Sequence, residues 1–405
     1  MTARPREPLR QRSAGPGTKI RRLTPRGFLS FSPDFGGIEL GALTVFVGAN
    51  GSGKSNCFEA IRFLKESQRG AVGFLTSGSE VRDWVFDSAA SARVELDATT
   101  GAGGQRYWLG VRSTGNGGFE FESEGLERLA SVNKNVFWRQ SPSAVDLFAP
   151  RPGTEAGSAR VEKDEVEPTQ TVLDAVRPPR GLDSQFRSMR TFLDSIEVFS
   201  ERGLGKRLNP LRSPRGAGNV HGRLLDDGSN AALFLNTLLL RPGFRARLVE
   251  HLTEVLPGVD DVLVDSSMGA SQVVLMERSR GRRTPASRLS DGTLHWLFLG
   301  LILLDAENEA PVFIDEPDLG LHPDAVVALV ELLRTVSKHR QLVVTTHSKV
   351  FLDQLTDTPE CVVAFDRDVQ GTRTSRPTPT ELRRLARGDS LGTAWTAGVF
   401  GGTRW

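Results

Sequence analysis

Gly48-Ala49-Asn50-Gly51-Ser52-Gly53-Lys54-Ser55 matches the phosphate-binding loop pattern G-x-x-x-x-G-K-[ST] at every fixed position. An apolar, strand-like run, Leu43 to Val47, precedes it, and a helix-like stretch, Asn56 to Leu64, follows. That strand–loop–helix setting separates a working phosphate loop from a glycine-rich turn that matches by chance. The glycines let the backbone curl, so that its N–H groups and the helix N-terminus face a phosphate. Lys54 then reaches the β- and γ-phosphates of ATP, and Ser55 is placed to ligate Mg²⁺. Gly48, Asn50, Gly51, Ser52, Gly53, Lys54, Ser55 and Asn56 are the residues expected to hold the nucleotide.

Downstream, Pro311 to Pro323 reads P-V-F-I-D-E-P-D-L-G-L-H-P. Val312 to Ile314 is the short apolar run expected of a buried parallel strand. Asp315 and Glu316 follow at its C-terminal end, where open α/β sheets bind ligands. On their own they fit a surface turn equally well. Beside a phosphate loop they read as catalytic: Asp315 holds Mg²⁺, directly or through water, and Glu316 deprotonates the attacking water. That role is typically worth about 10²–10⁴ in rate. Leu289-Ser290-Asp291-Gly292-Thr293 opens an apolar helix-like run, Leu294 to Leu304. Ser290 and Gly292 offer a second anion free N–H groups and a helix dipole. In isolation Ser290 is an ordinary helix N-cap. Leu342 to Thr346 is strand-like and ends at His347-Ser348. His347 is then placed to contact the γ-phosphate and sense hydrolysis, although a lone His there is an ordinary strand-end residue.

Phosphate loop, S-D-G-T, I-D-E-P with L-H-P close behind, then T-T-H-S: this order resembles the ABC-type ATPase head. Within that class it is similar to the RecF/SMC-like, AAA_21-type ATPases, which are related to the ATPase part of overcoming-lysogenisation-defect nucleases. The resemblance covers roughly residues 18–125 and 275–405. Leu211 to Arg215 with Leu224 to Asn230, and Leu391 to Gly402, resemble one bacterial branch of that subfamily. Transporter heads carry L-S-G-G-Q where this chain has L-S-D-G-T, which argues against a transporter ATPase.

The resemblance implies an α/β fold, an ABC-type P-loop head with a mixed central sheet and flanking β-meander, plus a small, mainly helical inserted lobe. It also implies an ATP-dependent homodimer in which Ser290 and Gly292 cap the γ-phosphate of the partner subunit, while Glu316 and His347 act with Lys54 and Ser55 of their own. The implied settings are DNA repair, genome maintenance and anti-phage defence, on DNA directly or through a separately encoded nuclease or other effector. Such heads also carry a Gln near the Mg²⁺. Gln68 stands too close to Lys54 in sequence, and Gln105 and Gln140 sit in no clear motif, so that role stays unassigned.

At 405 residues, with 38% hydrophobic and 25% charged content, the chain is long enough for a sizeable core and ordinary for a soluble protein. The net charge of +2 neither supports nor excludes nucleic acid. No apolar run reaches the length of a membrane span. Cys57 and Cys361 form no ligand cluster, and the chain reads as cytoplasmic. Residues 1–17 read as a disordered basic tail, with a nucleic-acid-touching arm as the alternative.

Residues 18–125 read as the N-terminal half of the head, with strands at Ala92–Leu96, Arg106–Val111 and Phe119–Glu122. Residues 126–275 read as an insert. Within it 141–170 is a mobile loop, Ser229 to Leu256 is two helices broken at Pro242-Gly243, and the prolines forbid a long coiled coil. Residues 276–405 read as the C-terminal half. The basic stretch Lys206 to Arg223 fits a nucleic-acid or partner surface, arginines over the phosphates, or a solvated loop. Asp366 and Asp368 form a D-x-D, but too little chain follows for a nuclease domain, so they read as turn residues.

Overall fold

The computed structural model describes residues 17–68, 81–86, 89–114, 118–130, 135–150, 158–178, 181–199, 211, 215–216, 222–267, 270–277, 281–378 and 390–400. A six-stranded central sheet organises the molecule. Its order is β10 (Glu197–Phe199), β15 (Val312–Ile314), β16 (Leu342–Thr346), β3 (Leu43–Gly48), β17 (Val362–Asp368), β18 (Gly371–Ser375). All neighbours run parallel except β18, which returns antiparallel to β17. β16 therefore lies between the phosphate-loop strand and the acidic strand. The register sets Thr346 beside Val47, and Val344 beside Ile314. The C-terminal ends of all three strands meet at one edge of the sheet.

These strands read as unbroken apolar runs because both faces are covered. Val45, Val47, Val312, Ile314, Leu342 and Val344 pack into one core, and Phe46, Phe313 and Val343 into the other. On the second side lie α1 (Lys54–Ser67) and an eight-stranded antiparallel sheet. That sheet runs β2 (Ile38–Glu39), β1 (Lys19–Arg26), β4 (Ala92–Thr100), β5 (Gly103–Ser113), β6 (Phe119–Arg128), β7 (Asn135–Ser141), β8 (Ala144–Pro150), β9 (Ser158–Glu165). Phe58 meets Phe313 edge-on at 5.4 Å and Phe63 lies 6.4 Å from Phe121, so α1 is clamped between the two sheets. α2 (Val172–Ala175) and α3 (Asp183–Ser195) complete this side. Buried Glu124 accepts hydrogen bonds from the N–H groups of Val172 and Leu173 at the start of α2, and Arg139 pairs with it 3.4 Å away.

On the opposite side pack α4 (Ala231–Leu238), α5 (Phe244–Thr253), α6 (Asp291–Leu303), α7 (Pro323–Val336) and α8 (Lys349–Asp353), with α9 (Leu391–Thr396) against α8. α6 is buried on all sides from Thr293 to Leu303, which explains its lack of a polar face. His251 of α5 stacks on Trp296 of α6 at 4.1 Å, and each ring hydrogen-bonds the other residue's carbonyl. Burial pushes the His251 imidazole down to about 4. A small antiparallel sheet joins β11 (Arg215–Gly216), β12 (Asp261–Ser267), β13 (Ala270–Glu277) and β14 (Arg282–Pro285).

Three expectations need correction. The insert 126–275, read as mainly helical, carries β7 to β13 beside α2 to α5, and β10 joins the central sheet. Asp366 and Asp368, read as turn residues, lie in β17. Residues 141–170, read as a mobile loop, hold β8 and β9 and continue the meander. β9, S-A-R-V-E-K-D-E, ends the sheet among the described residues. Its run of charge looks like loop when read along the chain. The two helices expected in 229–256 form as α4 and α5, with Gly243 in the left-handed region at the break. Residues 1–16 and most of Lys206–Arg223 lie outside the described residues. Among the described residues, no helix is long and apolar enough to cross a membrane.

Candidate active site

The phosphate loop leaves β3 at Gly48 and enters α1 at Lys54. Gly53 has φ +104°, and a Cβ there would lie 2.2 Å from Thr372 Oγ1 and 2.7 Å from Ser30 Oγ. Only glycine fits that turn. Thr372 Oγ1 in turn lies 2.9 Å from the Ser52 carbonyl, so β18 and the segment after β1 brace the loop from outside. The Asn56 amide donates to Ser30 Oγ at 2.7 Å and belongs to this brace. Asn50 and Gly51 are exposed at the tip. Buried Lys54 folds its ammonium back onto the loop, donating to Gly48 O at 2.8 Å and Ala49 O at 3.0 Å. Ser52 Oγ is buried and has no hydrogen-bond partner among the described residues. A cradle with an orphaned hydroxyl, and an ammonium turned towards its own loop's carbonyls, fits a phosphate chain.

On the acidic side, Asp315 Oδ1 accepts from Thr345 Oγ1 at 2.6 Å, and its Oδ2 from Ser55 Oγ at 3.3 Å. Ser55 and Asp315 form an all-oxygen pair suited to a hard divalent cation such as Mg²⁺. The Thr345 hydroxyl also accepts from the Glu316 N–H at 2.9 Å. Glu316 itself has φ +48°, a left-handed conformation that costs a side chain-bearing residue roughly 1–2 kcal/mol. Strain of this kind persists where the surroundings over-determine it, and it concentrates at functional sites. His347 Nε2 lies 2.5 Å from Glu316 Oε1. That hydrogen bond, with the charges of His347 and Lys54, holds the Glu316 carboxyl below its usual range, so it stands ionised and able to accept a proton.

Thr346, also fully buried, donates to Asp318 Oδ2 at 2.9 Å and accepts from the Ser348 N–H at 2.9 Å. Burial pushes the Asp318 carboxyl up to about 6, with the neighbouring Glu316 charge adding to the rise. The sequence places Thr345 and Thr346 in a motif without giving either a role, and nothing in it points to Asp318, Ser30 or Thr372. Two hydroxyls closing a buried strand were the one available signal, since β-branched Thr also reads as a plain strand former.

Ser290 is the N-cap of α6 and accepts from Thr293 N at 3.2 Å. Ser290 and Asp291 are exposed, and Gly292 rests against the Gly320 carbonyl. Ser290 bonds Thr293, and Gly292 packs on Gly320. Gln68 closes the far end of α1 and donates to Tyr107 OH at 2.7 Å, while Gln105 bonds Thr100. Both are core residues away from the phosphate loop, and the Gln140 side chain lies outside the described set. Thr372 also lines a cavity of about 850 Å³, formed with Ser32–Gly37, Phe86 and Arg373.

The sequence model of the AAA_21 family, described as "AAA domain, putative AbiEii toxin, Type IV TA system", matches residues 43–353. Among solved structures, an Smc head bound to the C-winged helix domain of ScpA superposes with a TM-score of 0.57 at 15% identity, covering 90% of this chain and 99% of that one. An Smc head domain with an extended coiled coil, bound to the C-terminal domain of ScpA and derived from Pyrococcus furiosus, gives 0.55 at 12% identity, covering 91% and 99%. At such identities the likeness establishes the fold, an SMC-head, ABC-type P-loop architecture.

Proposed function

The chain belongs to the AAA_21 family, and from that premise we propose that it is an ATP-driven switch. It binds ATP in the loop Gly48–Ser55. Two copies close head to head around the nucleotide, with Ser290 and Gly292 of each capping the γ-phosphate held by the other. Hydrolysis releases them. Mg²⁺, held by Ser55 and Asp315, would neutralise charge on the β- and γ-phosphate oxygens. Lys54 exchanges the carbonyls of Gly48 and Ala49 for phosphate oxygens. Glu316 accepts the proton of the attacking water, and His347 fixes the orientation of that carboxylate.

The observation that carries this reading is the ionised Glu316, clamped by Thr345 at its backbone and by His347 at its side chain, on the edge where Lys54 and Asp315 meet. A site that only bound nucleotide would have no use for a base held in a strained conformation. The work done by the switch is proposed to concern DNA in repair, genome maintenance or anti-phage defence. A second reading makes the chain the ATPase of a separately encoded nuclease or toxin, without DNA contact of its own. The toxin–antitoxin wording of the family description favours keeping it.

The test is the mass of Glu316→Gln in solution by light scattering, with and without ATP and Mg²⁺, then with duplex DNA. The expected result is an ATP-dependent doubling, with a further increase on DNA. Doubling without a DNA response would favour the effector reading, and a monomer under every condition would refute the switch.

A further inference from the structure

The start of α6 and the catalytic loop are joined within one subunit. His295, one turn into α6 and buried, has its Nε2 2.8 Å from the Pro317 carbonyl. A carbonyl only accepts, so Nε2 carries the proton and donates. Nearer the tip, the Gly292 Cα approaches the Gly320 carbonyl so closely that a Cβ would lie 2.9 Å from it. The loop from Glu316 to Gly320 is thus held to α6 at both ends. On its other side Thr345 bonds the Glu316 N–H and Thr346 bonds Asp318. Within the loop the Leu319 N–H donates to the Glu316 carbonyl at 3.1 Å.

These contacts over-determine the left-handed Glu316, and the His295 bond, like the Gly292–Gly320 approach, comes from the helix bearing Ser290 and Gly292. Beyond its exposed tip, α6 is buried throughout, so a load applied at the tip is borne by the tip and the loop packed on it. Misplacing a reacting group by about 1 Å can cost about 10²-fold in rate, so a contact that fixes this loop bears on turnover.

We infer that His295 is a positioning residue, which passes the engagement of Ser290 and Gly292 with the partner's nucleotide to Glu316 of its own subunit and so couples the two ATP sites of the dimer. The inference rests on the trans arrangement proposed above. An uncoupled arrangement would let each site fire according to its own nucleotide. In the coupled one, a subunit's base is set only when its own helix tip is docked.

The test is steady-state hydrolysis against ATP concentration for wild type, His295→Leu and His295→Gln, with ATP affinity, dimer mass and thermal unfolding measured alongside. Leu keeps the buried volume without the donor, and Gln restores a donor of similar reach. The inference expects His295→Leu to bind ATP and dimerise like wild type, with kcat lower by about tenfold or more and KM little changed. It also expects a Hill coefficient falling towards one, and recovery of both in His295→Gln. Unchanged kcat and Hill coefficient in His295→Leu would overturn it, as would equal losses in Leu and Gln. Should His295→Leu fail to fold, a mixed dimer with one Ser290→Ala subunit decides. Independent sites keep about half the wild-type turnover, whereas coupled sites keep far less. A wild type that never dimerises on ATP would sink the underlying switch as well. A cooperative wild-type dimer indifferent to His295→Leu would sink this inference alone.

Discussion

Asp318→Asn isolates a single buried carboxyl beside Glu316, the proposed base. Asp318 is largely buried, its Oδ1 has no hydrogen-bond partner among the described residues, and its Oδ2 accepts from Thr346. Burial lifts its titration from 3.8 to about 6. Below the lower value folded and unfolded chains both carry the proton, and the group is silent. Between the two values the unfolded chain has lost the proton while the folded chain keeps it. The folded state then binds more protons, so stability falls as pH rises through this window. Above about 6 the full penalty applies, with a ceiling of about 3 kcal/mol. Partial contact with solvent brings the expected value nearer about 2 kcal/mol.

The asparagine cannot ionise, and its carbonyl oxygen still accepts from Thr346. The assay is the thermal unfolding midpoint of nucleotide-free protein, wild type against variant, in steps from about pH 4 to pH 8. Taking the difference between the two proteins cancels the other titrating groups. The midpoints should coincide at the acid end and separate through about pH 6, with the variant the more stable above it. Because the Glu316 charge adds to the rise, the gap should narrow in a Glu316→Gln background. A gap independent of pH, or one that closes as pH rises, would refute the assignment of a protonated carboxyl at this position.

Gly53→Ala should abolish nucleotide binding, measured by calorimetry, because the new Cβ meets Thr372 Oγ1 at 2.2 Å in a backbone region that L-residues rarely adopt. Retained affinity would show that the loop can relax. Thr345→Val keeps the shape of a fully buried side chain while removing a donor to Asp315 and an acceptor for the Glu316 N–H. It should lose about 2–4 kcal/mol of stability and more than about tenfold in kcat, and a variant that turns over normally would show that the clamp on Glu316 is dispensable. Ser290→Arg should leave monomeric ATP binding intact and prevent the ATP-dependent dimer, read by light scattering. Dimerisation of that variant would rule out capping in trans.

Much of the site could be read along the chain because its parts are short, consecutive runs. Gly48–Ser55 joins one strand to one helix, Asp315-Glu316 ends one strand, and His347 ends another. What lay hidden depends on partners far apart in sequence. Thr372 and Ser30 brace the phosphate loop across a separation of 342 residues, and His295 reaches Pro317 from a different element. Neither residue type announces such a role, since Thr suits any strand and His on an apolar helix suits any core. The meander beyond β6 was obscured for another reason. β8 and β9 become strands through the neighbours they pair with, and the charged sequence of β9 resembles that of a loop.

The sequence by itself determined that this chain carries a phosphate-loop pattern between a strand and a helix, two carboxylates and a histidine at strand ends, and an α/β, ABC-type design. Local backbone geometry and side-chain chemistry suffice for those conclusions. Only the tertiary structure decided that β16 lies between β3 and β15, which brings His347 to 2.5 Å from Glu316 and lets Thr345 hold both Asp315 and the strained Glu316 backbone. Strand order and register arise from packing both faces of a sheet against two separate cores. Those constraints act between segments hundreds of residues apart, and no periodicity within a single segment records them.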